Sequence, residues 1–131
     1  MQWYYTPKDV RRLVGITNRQ MKYWADKKIV HPRLSSCRST RFYTLPDIIT
    51  MAAMAGMRET GLSVQEMCEP ARKFRKRLDR ISKESVAHLD VSYRGSFRAL
   101  QSDNPNARSG MFLFSVATLI ARAAAVEQPA A

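Results

Sequence analysis

Residues 17–24, TNRQMKYW, crowd Arg19, Gln20, Lys22, Tyr23 and Trp24 into one short segment. Arginine carries paired donors, and glutamine a donor beside an acceptor, that match the edges of bases, whereas lysine and tyrosine can hold phosphate oxygens. A helix that only lined a core would carry more aliphatic residues, and a merely solvated one would rarely set Tyr beside Trp. The chemistry open to these side chains together is contact with a polyanion that also presents ordered hydrogen-bonding groups.

The elements that must position them are legible on either side. Thr6 is a helix cap with Pro7 at the first helical position, and Val10, Leu13 and Val14 share one face of the helix that follows. Gly15 ends that helix. Thr17 caps a second one, in which Met21 and Trp24 face inward while Arg19, Gln20, Lys22 and Tyr23 spread over the rest. Two short helices joined by a tight turn have helix-turn-helix spacing, and the second helix of such a pair fits a DNA major groove. Helix pairs of this kind also occur as inert packing units, so the neighbouring residues decide.

Charge narrows the partner. The chain has 131 residues, enough for one compact domain with an appendage, and a formal net charge of +11. That excess points to nucleic acid or an acidic membrane surface, with a merely soluble basic protein as the bland alternative. Residues 1–80 hold 17 of the 22 Lys and Arg but 7 of the 11 acids, and residues 81–131 are nearly neutral. The first part is expected to meet the anion and the second to self-associate or hold a partner. The longest apolar run, MFLFSVATLIA at 111–121, is too short to span a bilayer and runs into Arg122. With no signal segment at the start and only Cys37 and Cys68 to pair, the expectation is a cytoplasmic, nucleoid-associated protein without membrane contact.

After IVHP, the stretch RLSSCRSTRFYT is Ser-rich and basic, and its flanks predict a small β-hairpin entering a third helix in LPDIITMAAMAGMRETG. Arg33, Arg38 and Arg41 would make this hairpin a wing that reaches backbone phosphates or a minor groove. Met51, Met54 and Met57 recur at helical spacing and are read as core. Ser63 with Glu66 forms a capping box for a fourth helix that runs past Pro70 into ARKFRKRLDR. The six basic residues from Arg72 to Arg80 fit either a phosphate clamp or a solvated helix face.

In this order, YTPKDVRRLVGIT, NRQMKYWADKKIV, Pro32, RFYT and DIITMAAMAGMRETGLSVQEM, the chain resembles the winged helix-turn-helix domain of MerR-type bacterial transcription regulators over about residues 4–78. The resemblance rests on the opening aromatic-Thr pair, the Arg and aromatics of the second helix, Arg-x-Tyr-Thr after the wing, and GLS at 61–63. It implies that Arg19, Lys22 and Tyr23 lie at DNA-contacting positions of the recognition helix and that Arg41 and Tyr43 end the wing. Tyr23 also suits packing on the first helix, and Tyr43, like Phe42, suits a core. Ser39 and Thr40 stand where the family usually has a Gly-aromatic pair, and the hairpin is one residue longer.

Beyond residue 81 the resemblance ends. Val86, Leu89, Tyr93, Phe97 and Leu100 recur at spacings that fit one helical face interrupted by Gly95, although an alternating strand also fits HLDVSYRGSF. The loop QSDNPNARSG precedes a final apolar segment in which Phe112, Val116, Leu119 and Ala123 form a second helical face. The expected fold is mainly α: a winged helix-turn-helix domain over residues 1–80 with a hairpin wing, then a helical extension over residues 81–131 for dimerisation or partner binding.

No Cys follows Cys68 and His88 stands alone in the extension, so neither metal nor redox sensing is expected, and no catalytic constellation or phosphate loop is present. The expected protein is a non-enzymatic, cofactor-free, sequence-specific regulator of transcription. It would bind double-stranded DNA as a homodimer, with RNA polymerase or another protein as a further partner. The DNA set is Arg19, Gln20, Lys22, Tyr23, Arg33, Arg38, Arg41 and Tyr43. Two alternatives stay open. One is an architectural DNA-binding protein of a phage or mobile element, such as a recombination directionality factor or small terminase subunit. The other is a protein-interaction module.

Overall fold

The computed structural model describes residues 2–34 and 41–127. Its elements run β1 (Tyr4–Tyr5), α1 (Pro7–Val14), α2 (Asn18–Asp26), β2 (Arg33–Leu34), β3 (Arg41–Thr44), α3 (Leu45–Arg58), α4 (Val64–Leu78), α5 (Lys83–Val86), β4 (Leu89–Tyr93), β5 (Phe97–Gln101), β6 (Met111–Ser115) and α6 (Val116–Glu127).

The helix starts follow capping chemistry. At α1, α2 and α4 the cap hydroxyl of Thr6, Thr17 or Ser63 accepts from the third helical amide, and the side chain of Asp9, Gln20 or Glu66 accepts from the cap amide in return. Gly15 closes α1 in the left-handed region at φ 78°, a conformation that costs glycine little. The tight turn between α1 and α2 follows from that residue and from the cap at Thr17.

Two small antiparallel sheets flank the helices. In the first, β3 lies between β1 and β2, with Arg33 opposite Phe42 and Leu34 opposite Arg41. The expected hairpin is therefore present in its strands. Its tip, including Cys37, Arg38, Ser39 and Thr40, lies outside the described residues.

The expected helical extension is not what forms. Residues 89–115 build a second sheet of order β5-β4-β6, with a register irregularity between Val91 and Ser92, and only then does α6 begin. The physical reason lies in the composition of the strands. Leu89, Val91 and Tyr93 alternate with Asp90 and Ser92, and Gly95 at φ 69° turns the chain between β4 and β5. Leu89 and Tyr93 share one face of β4, whereas Phe97 and Leu100, three apart on β5, lie on opposite faces, so the spacing of three and four marks no single stripe. Gly110, at φ 80°, could not carry a side chain, because a Cβ there would meet the carbonyl of Tyr93 at 2.8 Å.

One hydrophobic cluster joins the two parts of the chain. Val10, Leu13, Trp24 and Ile48 share it with Phe74, Val91, Phe97, Val116 and Leu119. Phe74 of α4 packs on Phe97 of β5 at 5.6 Å between ring centroids, and Arg122 of α6 donates to the carbonyl of Leu13. Met51, Met54 and Met57 are buried in it, as their spacing predicts.

Candidate nucleic-acid interface

Helix α2 is anchored by what it buries. Trp24 is fully buried and Met21 nearly so. The indole N–H of Trp24 finds no hydrogen-bond partner among the described residues, so the helix is held by packing there. A link from the Arg11 guanidinium to the Asn18 side chain ties α2 to α1.

The opposite face is left open. Arg19 and Lys22 are exposed, and neither has a hydrogen bond or ion pair among the described residues. Tyr23 is 44% exposed, with Lys27 Nζ 5.5 Å from its ring centre. Lys27 takes one face of the ring, and the rest of this exposed aromatic is available to a ligand. Gln20 is placed differently. Its side-chain oxygen accepts from the Thr17 amide at 2.9 Å, so within the capping box it can offer a base edge only its side-chain N–H donors.

The wing strands carry Arg33 and Arg41, both exposed and without ion pairs among the described residues. A recess of about 570 Å³ lies between Arg41 and α2 and is lined by Asn18, Lys22, Pro32, Leu34, Arg41 and Tyr43. It brings Lys22 and Arg41 to one concave surface. Tyr43 does not join them as a free contact. It is 4% exposed and part of the core, and its hydroxyl pKa is raised, chiefly by burial, with Asp47 pushing the same way and Arg41 opposing. Of its two sequence readings, the structure places it at the core one. Arg38 lies outside the described residues.

A second depression, about 450 Å³, runs from α2 toward α4 and joins Arg19, Gln20 and Tyr23 to Arg58, Ser63, Val64 and Gln65. Sequence reasoning passed over Arg58 and the first amides of α4. The Ser63 capping box marked where those amides would point, since a cap satisfies one donor and leaves its neighbours open. What could not be read from spacing was that α4 would start beside α2.

The basic run of α4 has a structural role that neither sequence reading foresaw. Arg72 donates through Nε and Nη2 to the carbonyl of Lys27 at 3.0 and 2.6 Å, pinning the end of α2. Arg75, 8% exposed, is bonded to Asp47 at 2.6 Å and to Asp79 at 2.5 Å. Asp47 in turn accepts from the Thr44 amide and hydroxyl, so the junction of the wing with α3 is locked by one buried network. Charge attraction to both carboxylates outweighs the burial that opposes it, and the Arg75 pKa is raised. Arg77 reaches the carbonyl of Phe97 at 2.6 Å.

Among the described residues, no group of His, Cys, Asp and Glu is arranged to hold a metal ion, and no helix is long and apolar enough to cross a membrane.

A family model described as MerR HTH family regulatory protein matches residues 5–70, a span that takes in α1, α2, the wing strands, α3 and the first half of α4. The chain is also similar to the HTH-type transcriptional regulator TnrA of Bacillus subtilis (strain 168), with 34% identity over 64 residues. That match covers 49% of this chain and 57% of the relative, so the chain spans little more than half the relative's length. The helix pair, the wing strands and the match over half the sequence agree, and the chain belongs to the MerR HTH family of regulatory proteins.

Proposed function

We propose that this protein is a sequence-specific double-stranded DNA-binding regulator of transcription, with α2 as its recognition helix. The observation that carries this is the division of α2 into a buried face, Met21 and Trp24, and an exposed face on which Arg19 and Lys22 have no partner within the described residues. In the major groove Arg19 would read a base, preferably guanine, through its forked donors, while Lys22 and Tyr23 hold phosphates. Arg33, Arg38 and Arg41 of the wing would hold the backbone on one side. Arg58 and the free amides at the start of α4 would hold it on the other. Its relative's name as a transcriptional regulator supports the same assignment.

The protein is proposed to act as a homodimer through residues 81–131, since a single winged domain offers few base contacts and coupling two half-sites raises avidity. The expected contact shifts to residues that the chain's own core leaves open. Leu119 is buried at 5% exposure, whereas Met111 and Phe112 on the outer strand β6 are 45% and 37% exposed.

Selection of bound sequences from a random duplex pool, followed by footprinting, tests the assignment. Arg19→Ala should cost roughly 1–3 kcal/mol on the selected site and relax preference at one base position, while Arg41→Ala weakens selected and random duplexes alike. No enriched sequence from the wild-type chain would sink the proposal. Sedimentation of the full chain against a Met111→Glu, Phe112→Glu double variant tests the dimer. Equal mass per particle would move the contact elsewhere.

A further inference from the structure

A second basic surface lies away from the exposed face of α2. The turn after α2, strand β2 and helix α4 enclose a recess of about 390 Å³ lined by Lys28, His31, Arg33, Arg72, Arg75 and Lys76. Two of its cations are fixed in advance. Arg75 spends Nε and Nη1 on Asp47 and Asp79 and has no partner for Nη2 among the described residues. Arg72 is held by two bonds to the Lys27 carbonyl and by Nη1 to the Glu69 carboxylate at 3.2 Å, which leaves one N–H on each terminal nitrogen. Three others are unspent, since the side chains of Lys28, Arg33 and Lys76 have no hydrogen bond or ion pair among the described residues. The two carboxylates in the lining, Asp47 and Asp79, are both engaged by Arg75, which leaves an excess of positive charge facing the space.

Lys28 closes α2, its amide and that of Ile29 donating to the carbonyls of Ala25 and Trp24. It is the one non-glycine residue with positive φ among the described residues, at 59°. A side chain in that region is strained where glycine would not be.

We propose that this recess binds a phosphate-class anion, with Arg72 and Arg75 as preset donors and Lys28, Arg33 and Lys76 closing on the phosphoryl oxygens. The anion is either a backbone phosphate of a DNA segment passing beyond the recognition helix or the phosphate of a free small molecule. None of these side chains lies on the exposed face of α2, so the site stands whether or not α2 reads DNA.

The test is calorimetric titration of the full chain with inorganic pyrophosphate at constant ionic strength. Saturable binding is expected, weakened about tenfold or more by Lys76→Gln and by Lys28→Gly, and unchanged by Lys22→Ala. Lys28→Gly relieves the backbone strain, so its thermal stability should stay at or above wild type, and loss of binding there cannot be put down to unfolding. Absence of saturable binding, or equal weakening by Lys22→Ala, would overturn the proposal. The salt dependence of duplex binding then separates the sources. A backbone phosphate in the recess makes Lys76→Gln lower the slope by about one, and a free phosphate ligand leaves that slope at the wild-type value.

Discussion

Helix α2 carries two basic residues and α4 five, and the structure uses the two sets differently. On α2, Arg19 and Lys22 stand exposed without partners among the described residues. On α4, Arg72, Arg75 and Arg77 are bonded to the end of α2, to the wing–α3 junction and to β5. A count of charges would point to α4, but availability depends on where carbonyls and carboxylates fall in the folded chain. The α4 run is largely a set of struts, and the α2 run is an open face.

The comparison can be broken most severely by removing what the struts hold. Deleting residues 80–131 takes away Phe97, Val91, Val116 and Leu119, all in the same cluster as Phe74 and Leu78. The remaining chain is expected to lose cooperative unfolding, which urea titration followed by circular dichroism would show. The near-neutral charge of that segment suggested a separable appendage, and a truncated chain that unfolds cooperatively at the wild-type midpoint would restore that view.

Next in size is Arg75→Ala. It leaves Asp47 buried without its counter-ion, and breaking a buried pair costs about 3–5 kcal/mol, with the low end expected here because Asp79 is largely exposed. Arg19→Ala should change stability by no more than about 0.5 kcal/mol, as surface substitutions do. Paired urea midpoints for the two variants would expose any equality between them.

A smaller effect belongs to Tyr43. Its folded pKa is raised above the ordinary 10.0, so its neutral form favours the fold, and that contribution is complete below about pH 10 and lost as pH rises through the raised value. Tyrosinate absorbance should show a late-ionising phase from Tyr43. Tyr43→Phe should abolish that late phase and flatten the alkaline fall in stability.

The helix-turn-helix was legible because its signals are local. Thr6, Pro7, Gly15 and Thr17 act within a few residues of where they stand, and the family-like order of segments located the wing strands. The recognition face followed from the 3.6-residue period. Three features were not legible. Gln20 was read as a base contact, but its oxygen serves the cap, a competition within one turn that residue type does not resolve. The β5-β4-β6 sheet mimics helical spacing because Leu89, Tyr93, Phe97 and Leu100 fall three and four apart in the chain although they lie on two strands and do not share one face. The partners of Arg72, Arg75 and Arg77 lie 45, 28 and 20 residues away, and no periodicity reports contacts of that range.

The contrast between open face and struts is tested most directly by the salt dependence of duplex binding for two single variants, Lys22→Ala and Arg77→Met. Each phosphate neutralised adds about one to the slope of log affinity against log salt. Lys22→Ala should lower the slope by about one, and Arg77→Met, whose guanidinium is committed to the Phe97 carbonyl, should leave it unchanged. An unchanged slope for Lys22→Ala, with the loss appearing in Arg77→Met instead, would contradict the assignment of α2 as the DNA-facing helix.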